Sequence, residues 1–252
     1  MSTCNPRIAY AFPHAGGTAT IYRRWIDQLG HDGPVTLFPM ELPGRGSLIR
    51  QEPIHDLNRL VENLGRKIID DLNIRRRYGV EDWIIFGHSF GGVLGYATAQ
   101  FLSTRCGLTP KFVVLSASIA PNIQDYDGRH LESDQDIIAR LRRDNATAPA
   151  LLDHPAMCSR LVTQIRSDYL IRNQYKKLLG TTLNCPIKYI RALDDPHVPA
   201  DCANAWRAFT TKSLEEITIS GDHFAIYENL ACVLDVMCGG ATRARGRHLV
   251  GA

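Results

Sequence analysis

Ser89 stands in Gly87-His88-Ser89-Phe90-Gly91, directly after the apolar run Trp83 to Phe86 and just before a helical stretch that opens at Gly92. Strand, glycine-lined turn, helix is the setting in which G-x-S-x-G forms a nucleophile elbow. A serine on so tight a turn is strained, and a Cβ at 87 or 91 would clash across it. The helix that follows aims free N–H groups and its positive end at the same point. The pattern therefore predicts acyl transfer on a serine. A phosphate cradle of the Walker type would need a lysine where Val93 stands. A serine hydroxyl also needs a base, which is usually a histidine held by a carboxylate. After an elbow of this kind the order along the chain is Ser, acid, His. Of the downstream histidines, 130 and 154 fall in a helical insertion, 197 leaves no room for an intervening acid and 248 lies in the tail; His223 remains, on the loop after the last predicted strand, in Ser220-Gly-Asp-His-Phe224. The acid should end the strand before it, where Asp194 and Asp195 compete. Pro196 keeps residue 195 extended, so Asp195 is taken as the acid. Asp194, which suits an Asx-type turn within the loop, remains the alternative, and His197 is expected to shape that loop. Two backbone donors should bind the oxyanion. The expected pair is the N–H of Phe90 and the N–H of Ala15, the latter in the glycine loop Phe12-Pro-His-Ala-Gly-Gly17. His14, Gly16 and Phe224 are placed against the substrate by these same loops.

These groups must be held by a scaffold. Strand-like runs recur at 7–12, 35–38, 83–86, 112–116, 187–192 and 214–219, with amphipathic stretches at 20–29, 54–72, 92–102 and 201–209 between them. Such alternation predicts βαβ units, that is, an α/β fold with a mostly parallel sheet and helices on both faces. Sites in such sheets lie at the carboxyl ends of the strands. From about 125 to 180 no strand-like run occurs. Ser133-x-x-Asp136 opens a helix by a capping-box pattern, and 157–179 supplies further helical pattern. An insertion this long exceeds a simple connection and is expected to act as a lid over the elbow. The expected organisation is one domain, 1–240, with a lid at about 125–180, and a small basic tail, 241–252, without fixed structure.

Composition narrows the class. A net charge of +3 is too small to imply a nucleic-acid partner, and the Arg75-Arg76-Arg77 and Arg142-Arg143 clusters read as solvated faces. No apolar run approaches the ~18 residues a membrane helix requires, and with no apolar h-region in Met1-Ser-Thr-Cys-Asn-Pro6 no signal peptide is expected. Seven scattered cysteines without a C-x-x-C pair read as reduced thiols of a cytoplasmic protein. No His/Cys cluster has zinc spacing, and neither a metal nor an organic cofactor is expected. With no obvious dimer helix, a monomer is expected.

Taken together, these residues resemble the stand-alone type II thioesterases of nonribosomal peptide and polyketide synthesis, within the α/β-hydrolase fold. The resemblance runs from about Ile8 to Met237. It is carried by Phe12-Pro-His-Ala-Gly-Gly17, Leu42-Pro-Gly-Arg-Gly46, Gly87-His-Ser-Phe-Gly91, Arg166-Ser-Asp-Tyr169, Leu193-Asp-Asp-Pro196 and Gly221-Asp-His-Phe224, in that order. Two departures are mild: Phe90 where methionine is common, and Ala192-Leu193 where glycine-rich residues are common. The resemblance implies hydrolysis of an acyl or aminoacyl thioester on the phosphopantetheine arm of an acyl or peptidyl carrier protein, clearing stalled or wrongly loaded groups in antibiotic biosynthesis. The same triad would serve an acyltransferase, a cyclase or a small-molecule esterase. A non-catalytic relative that only binds would typically lack one of the three residues.

Overall fold

The computed structural model describes residues 7–30, 33–143, 147 and 149–240. The expectation for the tail 241–252 lies outside the described residues. Six strands form one sheet: β1 (Arg7–Phe12), β2 (Val35–Pro39), β3 (Trp83–His88), β4 (Val113–Ser116), β5 (Ile187–Ala192) and β6 (Leu214–Ile219). Their order is β2-β1-β3-β4-β5-β6 and every pairing is parallel. Chain progression reverses between β1 and β3, because β2 lies on one side of β1 and β3 on the other. A crevice opens at such a switch point, outside the carboxyl ends of the two strands. The glycine loop after β1 and the Ser89 turn after β3 both open onto it.

Side-chain alternation along each strand builds two apolar layers. Ile8, Tyr10 and Phe12 of β1 face the layer that contains α2 (Leu57–Arg76) and α3 (Phe90–Cys106). Ala9 and Ala11 face the other, with α1 (Arg23–Leu29) and a helix at the carboxyl end. Asp56 starts α2 by accepting the Arg59 N–H at 3.0 Å, a side-chain N-cap. Leu57, Leu60, Val61, Leu64, Ile68 and Leu72 then form one buried stripe at helical spacing. Gly65 lets α3 approach; a Cβ there would lie 2.8 Å from the Phe101 ring. Apart from its last turns α3 is buried on all sides, as a helix wedged between the sheet and its neighbours must be.

The long insertion is helical, as expected. It carries α4 (Asp134–Arg143), α5 (Pro149–Leu152) and α6 (Pro155–Arg172) between β4 and β5. Ser133 caps α4, its Oγ accepting the Asp136 N–H at 3.1 Å and donating to the Asp136 carboxylate at 2.6 Å. These helices share a small apolar cluster of their own: Ile137, Leu152, Cys158, Val162 and Ile165. Two differences from the sequence reading are local. The helix after the elbow begins at Phe90 and not at Gly92. After β5 the chain continues through α7 (Cys202–Trp206), and the last helix, α8 (Leu230–Cys238), was not foreseen. Its Val233, Val236 and Met237 are fully buried, but nine residues carry too few turns to stand out from a strand-like apolar run. Among the described residues no helix is long and apolar enough to cross a membrane.

Candidate active site

Between β3 and α3 a single residue makes the turn. Ser89 has φ 53° and ψ −122°, and only Ala117 shares a positive φ among the described non-glycine residues. Strain of this kind costs on the order of 1–3 kcal/mol and persists only when neighbours over-determine it. Here the Ser89 N–H donates to the Ser116 carbonyl at 2.7 Å and the Gly92 N–H donates to the Ser89 carbonyl at 3.0 Å. The Ser118 hydroxyl reaches that same carbonyl at 2.9 Å. A Cβ on Gly87 would lie 2.6 Å from Gly92 Cα, the clash across the turn that the pattern implied. Gly91 is required for a different reason: its Cβ would strike the Phe12 and Pro13 carbonyls of the loop after β1. Gly92, not singled out in the sequence, is required as well, since a Cβ there would collide with the Ser118 hydroxyl.

The structure brings Ser89, His223 and Asp195 together. His223 Nε2 is 3.0 Å from Ser89 Oγ, and His223 Nδ1 is 2.7 Å from Asp195 Oδ2. The Asp195 side chain is 2 % exposed, and its other oxygen accepts the His197 N–H at 2.8 Å. A carboxylate only accepts, so Nδ1 carries the imidazole proton and Nε2 offers its lone pair to the serine hydroxyl. Asp194 does not touch the imidazole. It accepts the Gly221 N–H at 3.2 Å, and its own N–H donates to the Gly221 carbonyl at 3.0 Å. The bond crosses from the acid loop to the base loop, and is not the local Asx turn that the sequence suggested.

Aromatic rings surround His223. The His88 ring lies 5.1 Å from it and the Phe224 ring also 5.1 Å, centroid to centroid. Burial, then the nearby His223, holds the His88 imidazole well below its ordinary range, so it stays neutral. His14 is lowered to about 4, by burial first and then by His223 and Arg45. Burial raises the Tyr227 phenol, which keeps its proton for the 2.9 Å bond to His14 Nδ1. Two neutral histidines, His88 against the ring and His14 packed behind it, thus lie beside His223.

A cavity of about 430 Å³ opens at Ser89 and His223. Ala15, Phe90 and Val93 line it from the core, and Leu141, Ile165, Tyr169 and Arg172 from the insertion. A second cavity of about 460 Å³ lies between the loop after β1 and α6, lined by Ile21, Met157, Leu161 and Gln164. His14, Ala15, Leu141, Ile165 and Phe224 border both cavities. The Phe90 and Ala15 N–H groups donate to no protein acceptor among the described residues, so both remain available at the cavity. Gly16 is placed differently from the sequence reading. It borders only the second cavity, and its N–H is committed to Asp168 Oδ2 at 2.7 Å. Its φ of +74° suits glycine, and a Cβ would lie 2.7 Å from Ile165 and 2.8 Å from Leu161. The residue lets α6 close on the loop.

Arg45 and Asp168 went unassigned in the sequence. They form a two-pronged ion pair of 2.6 and 2.8 Å, with side chains 4 % and 1 % exposed. The Pro-Gly-Arg-Gly loop and the Arg-Ser-Asp-Tyr segment were the available signals, but nothing local pairs residues so far apart.

Relatives can be set against this geometry. The linear gramicidin dehydrogenase LgrE of Brevibacillus parabrevis is 27% identical over 236 residues, 91% of this chain and 86% of that protein. The gramicidin S biosynthesis protein GrsT of Aneurinibacillus migulanus is 27% identical over 233 residues, again 91% and 86%. Among solved structures, the thioesterase RedJ from the prodiginine pathway of Streptomyces coelicolor superposes with a TM-score of 0.79 at 28% identity, over 94% of this chain and 91% of that one. The fold shared with the solved thioesterase structures is the α/β-hydrolase fold. The pattern of the family described as "Thioesterase domain" matches residues 7–237, and with nearly the whole chain matched the protein belongs to that family and is a thioester hydrolase.

Proposed function

We propose that the chain hydrolyses acyl or aminoacyl thioesters carried on the phosphopantetheine arm of an acyl or peptidyl carrier protein, as a type II thioesterase of nonribosomal peptide or polyketide synthesis. The observation that carries this reading is the relay of 3.0 and 2.7 Å linking Ser89, His223 and Asp195 at the mouth of the cavity. The names of the relatives, biosynthesis proteins for gramicidin S and a prodiginine-pathway thioesterase, support the pathway context. The word dehydrogenase in one relative's name finds no counterpart here, since the loop after β1 lacks the G-x-G-x-x-G spacing of a dinucleotide site.

In this mechanism Ser89 Oγ attacks the thioester carbonyl while His223 Nε2 takes its proton. The oxyanion is received by the Phe90 and Ala15 N–H groups, at the positive end of α3. Asp195 holds the Nδ1–H tautomer and stabilises the imidazolium. The tetrahedral adduct collapses, the C–S bond breaks, and His223 returns the proton to the pantetheine thiol. Water then attacks the acyl-serine with His223 again as base, releasing the free acid and restoring the hydroxyl. A thioester carbonyl at Ser89 has two substituents that must diverge. The cavity lined by the insertion, here read as a lid, suits the acyl group. The groove beyond Ala15 suits the arm, which reads the chain's partner as a carrier protein.

The experiment is release of free acid from a short acyl group on a phosphopantetheinylated carrier protein, beside the same acyl group on an oxygen ester, with native protein and Ser89→Ala. Faster Ser89-dependent cleavage from the carrier is expected. Cleavage of the oxygen ester alone would refute the carrier assignment, and a cyclised or transferred product would refute hydrolysis.

A further inference from the structure

The oxyanion loop is held by bonds that the reaction itself does not use. Ala15 N–H and the His14 carbonyl belong to one planar peptide, so they point in opposite directions. The Gly17 N–H donates to the His14 carbonyl at 2.9 Å, which draws that oxygen into the turn and drives the Ala15 N–H outward. The next peptide is fixed by the Gly16 N–H donating to Asp168 Oδ2 at 2.7 Å. The Gly17 carbonyl is approached by Arg45 Nη1 at 3.3 Å, and the same Nη1 donates to Asp168 Oδ2 at 2.8 Å. Arg45 Nη2 completes the pair on Asp168 Oδ1 at 2.6 Å. Four successive peptides of the loop are therefore tied down, two of them by a buried carboxylate and guanidinium.

The two charges come from elements remote in the chain. Arg45 follows β2, and Asp168 sits on α6 of the insertion. A buried pair of this kind is a weak source of stability, because desolvating both charges offsets most of their attraction. Its strength lies in geometry: a guanidinium fork meeting a carboxylate leaves little freedom to either side chain. The neighbouring residue, Tyr169, lines the acyl cavity. One turn of α6 thus touches the acyl wall and the oxyanion loop together.

We infer that Asp168 and Arg45 are positioning residues for the oxyanion donor at Ala15, so that α6 of the insertion bears on the catalytic loop as well as on the acyl wall. This rests on the serine-hydrolase reading above. Losing one oxyanion donor outright typically costs about 10²–10³ in turnover. A donor displaced by about an ångström costs up to about 10²-fold.

The test uses Asp168→Asn and Arg45→Lys. Asparagine cannot serve two guanidinium prongs and an amide, and lysine keeps the charge but not the fork. Four quantities are read: kcat and KM on an acyl-N-acetylcysteamine thioester, affinity for an alkyl boronic acid that forms a tetrahedral adduct on Ser89, and thioester binding in a Ser89→Ala background. The expected result is a fall in kcat of about 10- to 100-fold for Asp168→Asn. KM and ground-state binding should stay within about threefold, and boronate affinity should fall in parallel with kcat. If Asp168→Asn unfolds, Arg45→Lys carries the test with a smaller loss of the same pattern. Unchanged boronate affinity in a folded variant, or equal losses in boronate and ground-state binding, would overturn the proposal. Native protein that binds the boronate but hydrolyses no thioester would instead overturn the thioesterase reading, and the boronate comparison would still decide this one.

Discussion

Adjacent aspartates allow a sharp contrast, because one carboxylate faces His223 and the other faces a backbone amide. In Asp195→Asn the new amide must meet two donors: the His197 N–H at 2.8 Å on one oxygen position and His223 Nδ1 at 2.7 Å on the other. If its carbonyl keeps the His197 bond, its NH2 faces Nδ1. Nδ1 must then accept, the proton moves to Nε2, and the ring presents a donor to Ser89 Oγ and cannot act as base. Holding the wrong tautomer costs about 10⁴ in turnover where the same triad geometry has been broken this way. If the amide flips, its NH2 opposes the His197 N–H in a site 2 % exposed. An unmade buried hydrogen bond costs about 1–3 kcal/mol, or about 5- to 150-fold. The flipped form also lacks the charge that stabilises the imidazolium. The expected loss in kcat for Asp195→Asn is therefore about 10²–10⁴-fold, with KM little changed. Asp194→Asn keeps a carbonyl for the Gly221 N–H and should stay within about threefold of native turnover. Both variants would be assayed by free-acid release at saturating thioester, with circular dichroism as the check on folding. A loss below tenfold for Asp195→Asn, or a larger loss for Asp194→Asn, would refute the assignment of the acid.

Two further outcomes follow from the same geometry. Gly92→Ala should lower stability by about 1–3 kcal/mol through overpacking. It should also slow fluorophosphonate labelling of Ser89, because the methyl displaces the Ser118 hydroxyl from the Ser89 carbonyl; native labelling and an unchanged melting temperature would contradict this. Acid should destabilise the fold through His14 and His88, whose pKa values are depressed by burial, that of His14 to about 4. Below an unfolded value near 6.5 the unfolded chain binds the extra protons, so stability is full above that pH and falls as pH drops toward 4, by up to about 1.4 kcal/mol per pH unit per histidine. Urea titrations at stepped pH should show a shallower fall over this window in His14→Gln; identical slopes would count against a buried neutral His14.

Much of this molecule was readable because its signals are local. Each of the six strands is a short apolar run bounded by turns, and their limits in the structure differ from the sequence reading by two residues at most. The elbow is read from five consecutive residues whose backbone strain only glycine neighbours permit. Pro196 restricts the residue before it, and that one steric fact separates Asp195 from Asp194 without reference to the fold. Where periodicity was short, as in α8, the pattern was silent. Where a glycine's reason lay in another segment, as with Gly91 against the loop after β1 or Gly92 against Ser118, local logic gave the wrong neighbour or none.

By itself the sequence determined the alternation of elements, the serine turn, the histidine that could follow the last strand and the acid that Pro196 keeps extended. These depend on steric rules that act over a few residues. The tertiary structure alone decided which groups meet across the sheet ends: the 3.0 Å contact of His223 with Ser89, the Asp194 clasp on Gly221, and the Arg45–Asp168 pair against the loop after β1. These contacts depend on the strand order reversing between β1 and β3 and on α6 packing back over the crevice. Packing of that kind is set by burial summed over the whole chain, and no window of neighbouring residues contains it.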